Sequence, residues 1–439
     1  MIKKVLKIVI LILAVVGITL GIKIAIEKNT SDNSKKKLYD SILGTLQQKE
    51  VEITSFYTYG KAINISGKFD GIKKDNFESV KLIVKDGKEY EKTYKLEYSF
   101  DESNNLIFSS DSEINSGIIL DDLEIGEYFL ILRVKMNNSV NPRFYSFKNT
   151  SGKDNIKYYS VTKNNENKGI SIGFEKKEFK GEERTLFSIN CLKETLPEEV
   201  YDIVIDAGHG GKDVGEKRAG ENEADITLEY AKKMKELLET EGFKVKLTRD
   251  DENTSSYTYT NMYDEDGRIG IACSSYAKYM LSFHINNGFD NLRGLELYSP
   301  CKSNLKLAEL MANAIVNNSN LEYSNNNSFK KLEGVYVRNF TKSIIKEYEN
   351  TANKKGYEPY NITTDTPYLY TIREVGGIAT NAYVDGRNKD YSANKYYASN
   401  QGIECYQVEL GYIKNDLDII KNEREEITSA IVDILKENI

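Results

Sequence analysis

The chain has 439 residues, with 60 Lys and Arg against 67 Asp and Glu, a net charge of -7. That length exceeds one ordinary domain and implies two or three, each able to bury a core of its own. The mildly acidic charge is spread along the chain, which excludes the concentrated basic patch that nucleic-acid binding needs.

The first element is apolar. Val5 to Ile26 is interrupted only by Lys7 and Lys23 near its ends, long enough for a helix to span the hydrocarbon of a bilayer while both lysine stems reach the interface. Lys3 and Lys4 before it favour a cytoplasmic N-terminus and export of the rest. Residues 1–28 are therefore expected to be a cytoplasmic N-terminus and a single-pass signal anchor in the cell membrane. A cleaved signal peptide, which would make the protein secreted, is the alternative, but Thr19-Leu20-Gly21 is a poor cleavage site. Residues 29–49 are polar and charged, carry a short helical pattern at most, and read as a spacer.

Residues 50–191 change to a period of two. Ile63 and Ile65 alternate with polar neighbours, as do Val80, Leu82 and Val84; Asp86-Gly87 offers a hairpin turn, and Tyr94, Leu96, Tyr98 and Phe100 resume the pattern. Tyr128, Leu130, Leu132 and Val134 make another strand, and Ile170, Ile172 and Phe174 one more. Short antiparallel strands in this number predict an all-β sandwich of immunoglobulin-like type. Its tyrosines read as half-buried strand residues. Binding a wall polymer, docking a protein partner and holding the following domain at a set height are the open roles of this domain; no residue pattern decides between them.

Residues 192–439 alternate strands with helices and predict an α/β domain, a mixed sheet flanked by helices. Tyr201 to Asp206 is a near-continuous apolar strand. The following helix places Ile226, Tyr230, Met234, Leu237 and Leu238 on one face and stops at Gly242. Then come a strand from Lys244 to Thr248, a helix from Arg268 to Lys278, strands from Met280 to His284 and Gly294 to Tyr298, and a helix from Leu305 to Val316. A last strand, Cys405 to Leu410, and a closing helix, Asn422 to Glu437, complete it. The insertion at 331–401, rich in Asn, Tyr and Gly, is too long for a bare loop and is expected to carry local structure, as a groove wall or a lid. Four cysteines, Cys191, Cys273, Cys301 and Cys405, have neither a disulfide-framework nor a metal-cluster spacing and read as small buried residues.

Only two histidines occur, His209 and His284. Each sits at the C-terminal end of a core strand, where ligands bind in α/β sheets. A catalytic metal site wants three protein ligands of imidazole and carboxylate type, with one position open for water. Glu223, at the start of the helix after the first strand, is the candidate third ligand; the alternative is that it only complements the helix dipole. Glu409 ends the last strand. A carboxylate at the tip of an apolar strand is costly unless paired or working. It is either a general base beside a metal-activated water or the partner of Arg249 or Arg268.

Four motifs in order carry a family resemblance. Val204-Ile-Asp-Ala-Gly-His-Gly-Gly211 resembles the opening motif of the zinc N-acetylmuramoyl-L-alanine amidases of type 3. Glu223-Ala-Asp-Ile-Thr-Leu228 is similar to that family's second ligand motif, Leu281-Ser-Phe-His-Ile-Asn286 to its third, and Gln407-Val-Glu-Leu-Gly-Tyr-Ile-Lys-Asn415 to its last. The resemblance spans about Val200 to Ile439. It implies zinc on His209, Glu223 and His284, with Glu409 as the catalytic carboxylate. It also implies peptidoglycan as substrate, cut at the amide between N-acetylmuramic acid and L-alanine on the outer, wall-facing side of the membrane. The departures from the family pattern are Thr227 where the family has Asn, the bulky Phe283 and Ile285 flanking His284, and a Lys331 to Gln401 segment longer than the family leads one to expect. A zinc peptidase acting on the stem peptide and a non-catalytic wall-binding or regulatory protein with an amidase-like fold are the other readings. Retention of all four polar residues counts against the second of these.

Overall fold

The computed structural model describes residues 33–110, 117–161, 166–251, 262–300, 305–377, 382–383, 392–396 and 400–439. The apolar stretch Val5 to Ile26, Lys3 and Lys4, and Cys301 lie outside them. Among the described residues no helix is long and apolar enough to cross a membrane.

The two-residue periodicity of the N-terminal half closes two sheets, of six and seven strands, around one apolar core. Ile63 and Ile65 from the first sheet meet Leu82, Val84, Leu130, Leu132, Ile170 and Ile172 from the second. This is an all-β domain with more strands than the seven of a constant-type immunoglobulin sandwich. The alternation expected to run from Tyr94 to Phe100 is split. Glu91–Lys95 pairs in the seven-stranded sheet, Glu97–Phe100 joins the other, and buried Leu96 marks the crossing. The second sheet is apolar on both faces, because helix α1 (33–43) covers its outer side. Ile42, Leu43 and the following Leu46 bury against Ile83, Phe129, Ile131 and Leu186. Part of the 29–49 stretch is therefore packed onto the sandwich rather than extended as a spacer.

The C-terminal half builds a seven-stranded mixed sheet from β1 (Ile203–Ala207), β2 (Val245–Leu247), β3 (Tyr279–Asn286), β4 (Glu296–Tyr298), β5 (Lys330–Leu332), β6 (Val335–Tyr336) and β7 (Glu404–Tyr412). Their spatial order is β2-β1-β3-β7-β4-β6-β5, with β2, β1, β3 and β7 all parallel and β4 antiparallel to β7. Parallel strands buried on both faces need helices on both sides. On one face lie α2 (Glu223–Thr240), α4 (Lys306–Asn318) and α7 (Arg424–Asn438), contributing Ile226, Met234, Met311, Ile315, Ile427 and Ile431 to the core. The other face is covered by α3 (Arg268–Ser274), α5 (Lys342–Lys355) and α6 (Tyr370–Val375). The 331–401 insertion thus carries local structure, and its two described helices roof the sheet's second face. Cys191, Cys273 and Cys405 are buried and free.

The two halves meet at the N-terminal ends of β3 and β7. Lys278 pairs with Asp121 at 3.1 Å, and the Tyr159 and Tyr276 rings meet edge to face at 5.0 Å. Gly402, at φ 79°, lies so close to the Thr58 carbonyl that a Cβ there would come within 1.7 Å of it. The opposite, C-terminal ends of the strands are left for the site.

Candidate metal centre

β1 runs into the turn Gly208-His209-Gly210-Gly211, where His209 adopts the left-handed φ of 60° that non-glycine residues rarely accept. Strain of this kind persists only where the surroundings hold it, and here they do. Thr227 Oγ1 donates to the Gly208 carbonyl at 2.8 Å, and Arg249 donates to the carbonyls of Ala207 and Gly208 at 3.1 and 3.0 Å. Arg268 donates to the carbonyl of His209 itself at 2.9 Å. Gly208 has no room for a side chain, since a Cβ would come within 2.6 Å of the His284 ring. Beneath the turn, buried Asp206 accepts from Thr248 and Ser282 at 2.6 Å each. Burial works to raise its pKa, but Arg268 and those two hydroxyls hold it below the usual carboxylate range.

Three side chains converge above these strands. His209 Nε2 lies 3.0 Å from Glu223 Oε1, and His284 Nδ1 lies 3.2 Å from each of those two atoms. The second carboxylate oxygen and the backbone fix the geometry. Glu223 Oε2 accepts from the Glu216 amide at 2.9 Å, and Oε1 also accepts from the Ile285 amide at 2.8 Å. On the far side of His209, Nδ1 meets Asp213 Oδ2 at 2.9 Å. A proton held on Nδ1 by that carboxylate leaves the Nε2 lone pair facing the centre. Burial opposes protonation of His209, but Asp213 and Glu223 outweigh it and raise its pKa to about 9. Glu223 is held well below its ordinary value against its own burial by the two imidazoles. The three facing atoms could hold a cation between them in place of the proton that His209 carries without one, and this is the only His, Cys, Asp and Glu group of the described residues close enough to hold a metal ion.

Glu409 is the register neighbour of His284 across the β3–β7 pair. It is 7% exposed, accepts from Gln407 Nε2 at 2.7 Å, and has its pKa pushed up to about 7, chiefly by burial. Arg249 and Arg268, its possible salt-bridge partners, turn instead to the His209 loop and Asp206, and among the described residues no ion pair joins either to Glu409. The structure thus brings all four sequence candidates to one end of β1, β3 and β7. Two carboxylates escaped the sequence reading. Asp213 follows His209 by four residues and had that proximity as its signal. Glu296 faces Glu409 across β4–β7 and is held by Tyr298, Ser324, Asn326 and Tyr412.

Residues 203–437 match the type 3 amidase family, described as N-acetylmuramoyl-L-alanine amidase, and the match takes in more than half of the chain. The chain belongs to that amidase family. Two proteins of Bacillus subtilis (strain 168) are similar to parts of this amidase-family chain. The uncharacterized protein YqiI is 30% identical over 108 residues, which are 25% of this chain and 48% of that protein. The germination-specific N-acetylmuramoyl-L-alanine amidase is 28% identical over 162 residues, 34% of this chain and 65% of that protein. The chain therefore spans about half to two thirds of the length of these curated relatives. Among solved structures, the N-acetylmuramoyl-L-alanine amidase AmiC2 of Nostoc punctiforme is 22% identical with a TM-score of 0.33, covering 54% of this chain and 97% of its own.

The departures of Thr227, Phe283 and Ile285 from the family pattern now have structural meaning. Thr227 is fully buried and ties the start of α2 to the His209 turn through its hydroxyl. Phe283 packs into the core, and Ile285 serves the site through its backbone amide.

Proposed function

We propose that this chain is a zinc-dependent hydrolase that cuts the amide between N-acetylmuramic acid and the L-alanine of the peptidoglycan stem. The observation that carries the proposal is the triangle of His209 Nε2, His284 Nδ1 and Glu223 Oε1 with sides of 3.0 and 3.2 Å. A tetrahedral zinc ion bound at about 2.0–2.1 Å needs ligand atoms roughly 3.3–3.4 Å apart. The triangle is one face of such a tetrahedron, slightly contracted, and the donor set of two imidazoles and a carboxylate suits zinc.

Zinc, when bound, supplies Lewis acidity to the scissile carbonyl and to the attacking water. The remaining work belongs to the chain. Asp213 holds the His209 tautomer, and the Glu216 and Ile285 amides orient Glu223. Glu409, with a pKa near 7, accepts the proton of the attacking water in its ionised form and then donates it to the departing amine of L-alanine. Gln407 keeps that carboxylate pointed.

The proposal extends to place. The apolar stretch Val5 to Ile26 supports a signal anchor in the cell membrane, with the amidase domain outside against the wall. The decisive experiment incubates the full chain with purified peptidoglycan, with and without a chelator, and identifies released fragments by mass spectrometry. Free stem peptides beginning with unblocked L-alanine, lost on chelation and in Glu409→Gln, are expected. Cleavage inside the stem would replace the amidase reading by a peptidase, and intact muropeptides would remove catalysis altogether.

A further inference from the structure

The segment from Gly210 to Asn222 leaves one ligand, His209, and returns to another, Glu223. It is pinned to the centre at two points, by the Asp213 side chain on His209 and by the Glu216 amide on Glu223, each at 2.9 Å. Between those pins and α2 it forms a small hairpin, Lys217–Arg218 against Glu221–Asn222, turning through Ala219 and Gly220 at φ 52° and 86°. Positive φ at both turn positions is the two-residue turn that suits a tight hairpin.

The charges of this segment are divided in one direction. All three acids are engaged: Asp213 on His209, Glu216 as acceptor from Asn287 Nδ2 at 2.8 Å, and Glu221 in an ion pair with Lys421. All three cations, Lys212, Lys217 and Arg218, are exposed, and their side chains make no hydrogen bond or ion pair with any described residue. Arg218 even stands directly opposite Glu221 in the hairpin register, but Lys421 holds that carboxylate. Some other lysines of this domain, such as Lys233, Lys278 and Lys436, have acidic partners and some, such as Lys232 and Lys331, do not; what distinguishes Lys212, Lys217 and Arg218 is that all three flank the residues pinned to the centre. In a chain of net charge -7, three unpartnered cations on a rim anchored to the catalytic centre make a local field that attracts anions. The scissile amide is neutral, so the anion they meet lies beside it on the substrate.

We infer that Lys212, Lys217 and Arg218 form a carboxylate-binding rim that selects peptide stems bearing a free carboxylate near the scissile amide. The inference rests on the amidase reading and adds to it the feature of the substrate that is read. Lysine supplies a point charge, and arginine a fork that fits a carboxylate with two parallel hydrogen bonds.

The test compares two peptidoglycan fragments of the same length, one with free stem carboxylates and one with those carboxylates amidated, on the full chain and on the triple variant K212Q/K217Q/R218Q. The parent is expected to prefer the free stem by about tenfold in kcat/KM, the scale of a few exposed charge contacts. That ratio falls towards one in the triple variant, and in the parent as salt is raised towards about 1 M. An unchanged melting temperature of the variant shows that the hairpin still folds. A parent ratio near one, or a variant that keeps the parent's ratio, overturns the rim while leaving the amidase intact. Failure of the parent to release stem peptides from either fragment overturns the amidase reading, and the rim falls with it.

Discussion

The Asp213 carboxylate stands 2.9 Å from Nδ1 of His209, four residues after it, and is the reason His209 presents Nε2 to the centre. Hydrogen-bonded carboxylates behind metal-binding imidazoles fix both tautomer and ring orientation and raise the basicity of the ligand nitrogen. Replacing Asp213 by Ala frees the ring to rotate and lets the proton sit on either nitrogen. Zinc affinity is expected to fall by about 10- to 100-fold, measured by competition with a chromogenic chelator. Asp213 is exposed, so the metal-free variant should still fold, with only a modest loss of stability at neutral pH, where Asp213 helps to hold His209 protonated. Unchanged affinity would remove the orienting role.

Metal binding itself should be visible as stability. A ligand that binds only the folded chain stabilises it by RT ln(1 + [L]/Kd), about 4 kcal/mol at a thousandfold excess over Kd. Here the folded form brings together donors from the end of β1, the start of α2 and the end of β3, residues 209, 223 and 284. Added zinc is expected to raise the melting temperature of the apo chain, and a chelator to reverse it. His284→Ala should abolish the response. An equal shift in parent and His284→Ala would place the metal elsewhere.

These outcomes hinge on residues that differ in how plainly the sequence announces them. His209 and His284 were legible because they exhaust the histidines and each ends an apolar strand. The central strands and α2 were legible because burial on two faces, or on one helical stripe, leaves an apolar period. Glu296 was not: its donors Ser324, Asn326 and Tyr412 are 28, 30 and 116 residues away in the chain, and no local pattern encodes such a cage. The docking of α1 was hidden for a related reason. Its apolar residues Ile42 and Leu43 are few among lysines, and their meaning comes from Ile83, Phe129 and Ile131, which make the sheet's outer face apolar. The insertion at 331–401 read correctly as structured, but only the fold could say that α5 and α6 cover a face of the sheet.

Thr227, the departure from the family pattern, tests how much the His209 turn depends on its support. Its hydroxyl donates to the carbonyls of Gly208 and Ala224 at 2.8 and 3.1 Å and accepts from Arg249 at 3.3 Å, all fully buried. Thr227→Val keeps the shape and removes the hydroxyl's hydrogen bonds, leaving Arg249 as the remaining side-chain donor to the Gly208 and Ala224 carbonyls, at a cost of about 1 kcal/mol. Urea unfolding should show that loss, whereas Thr227→Ser, which keeps the hydroxyl, should stay closer to the parent. Equal stability of Thr227→Val and parent would show that Arg249 alone holds the turn.

Glu409 couples catalysis to stability, with opposite signs. Its folded pKa of about 7 lies above the ordinary value of 4.5, chiefly because burial disfavours the charge. The folded chain therefore binds the proton more tightly than the unfolded chain. Folding is penalised as pH rises through this window, not at all below 4.5 and fully above 7, by about 3 kcal/mol at 1.36 kcal/mol per pKa unit. Glu409→Gln removes that penalty. In the metal-free state the variant is expected to be more stable than the parent at pH 8, with the difference closing towards pH 5. Its hydrolytic activity should fall by about 10²- to 10⁴-fold at every pH, because the proton acceptor is gone. The parent's activity should rise with pH and level off by about 7 as Glu409 ionises, and a bound cation beside it can only move that limb downward. Two measurements decide: denaturant unfolding of both proteins at pH 5 and pH 8, and a pH profile of the parent. A variant less stable than the parent at pH 8 would mean that the carboxylate is paired in the fold and not held ready for the reaction.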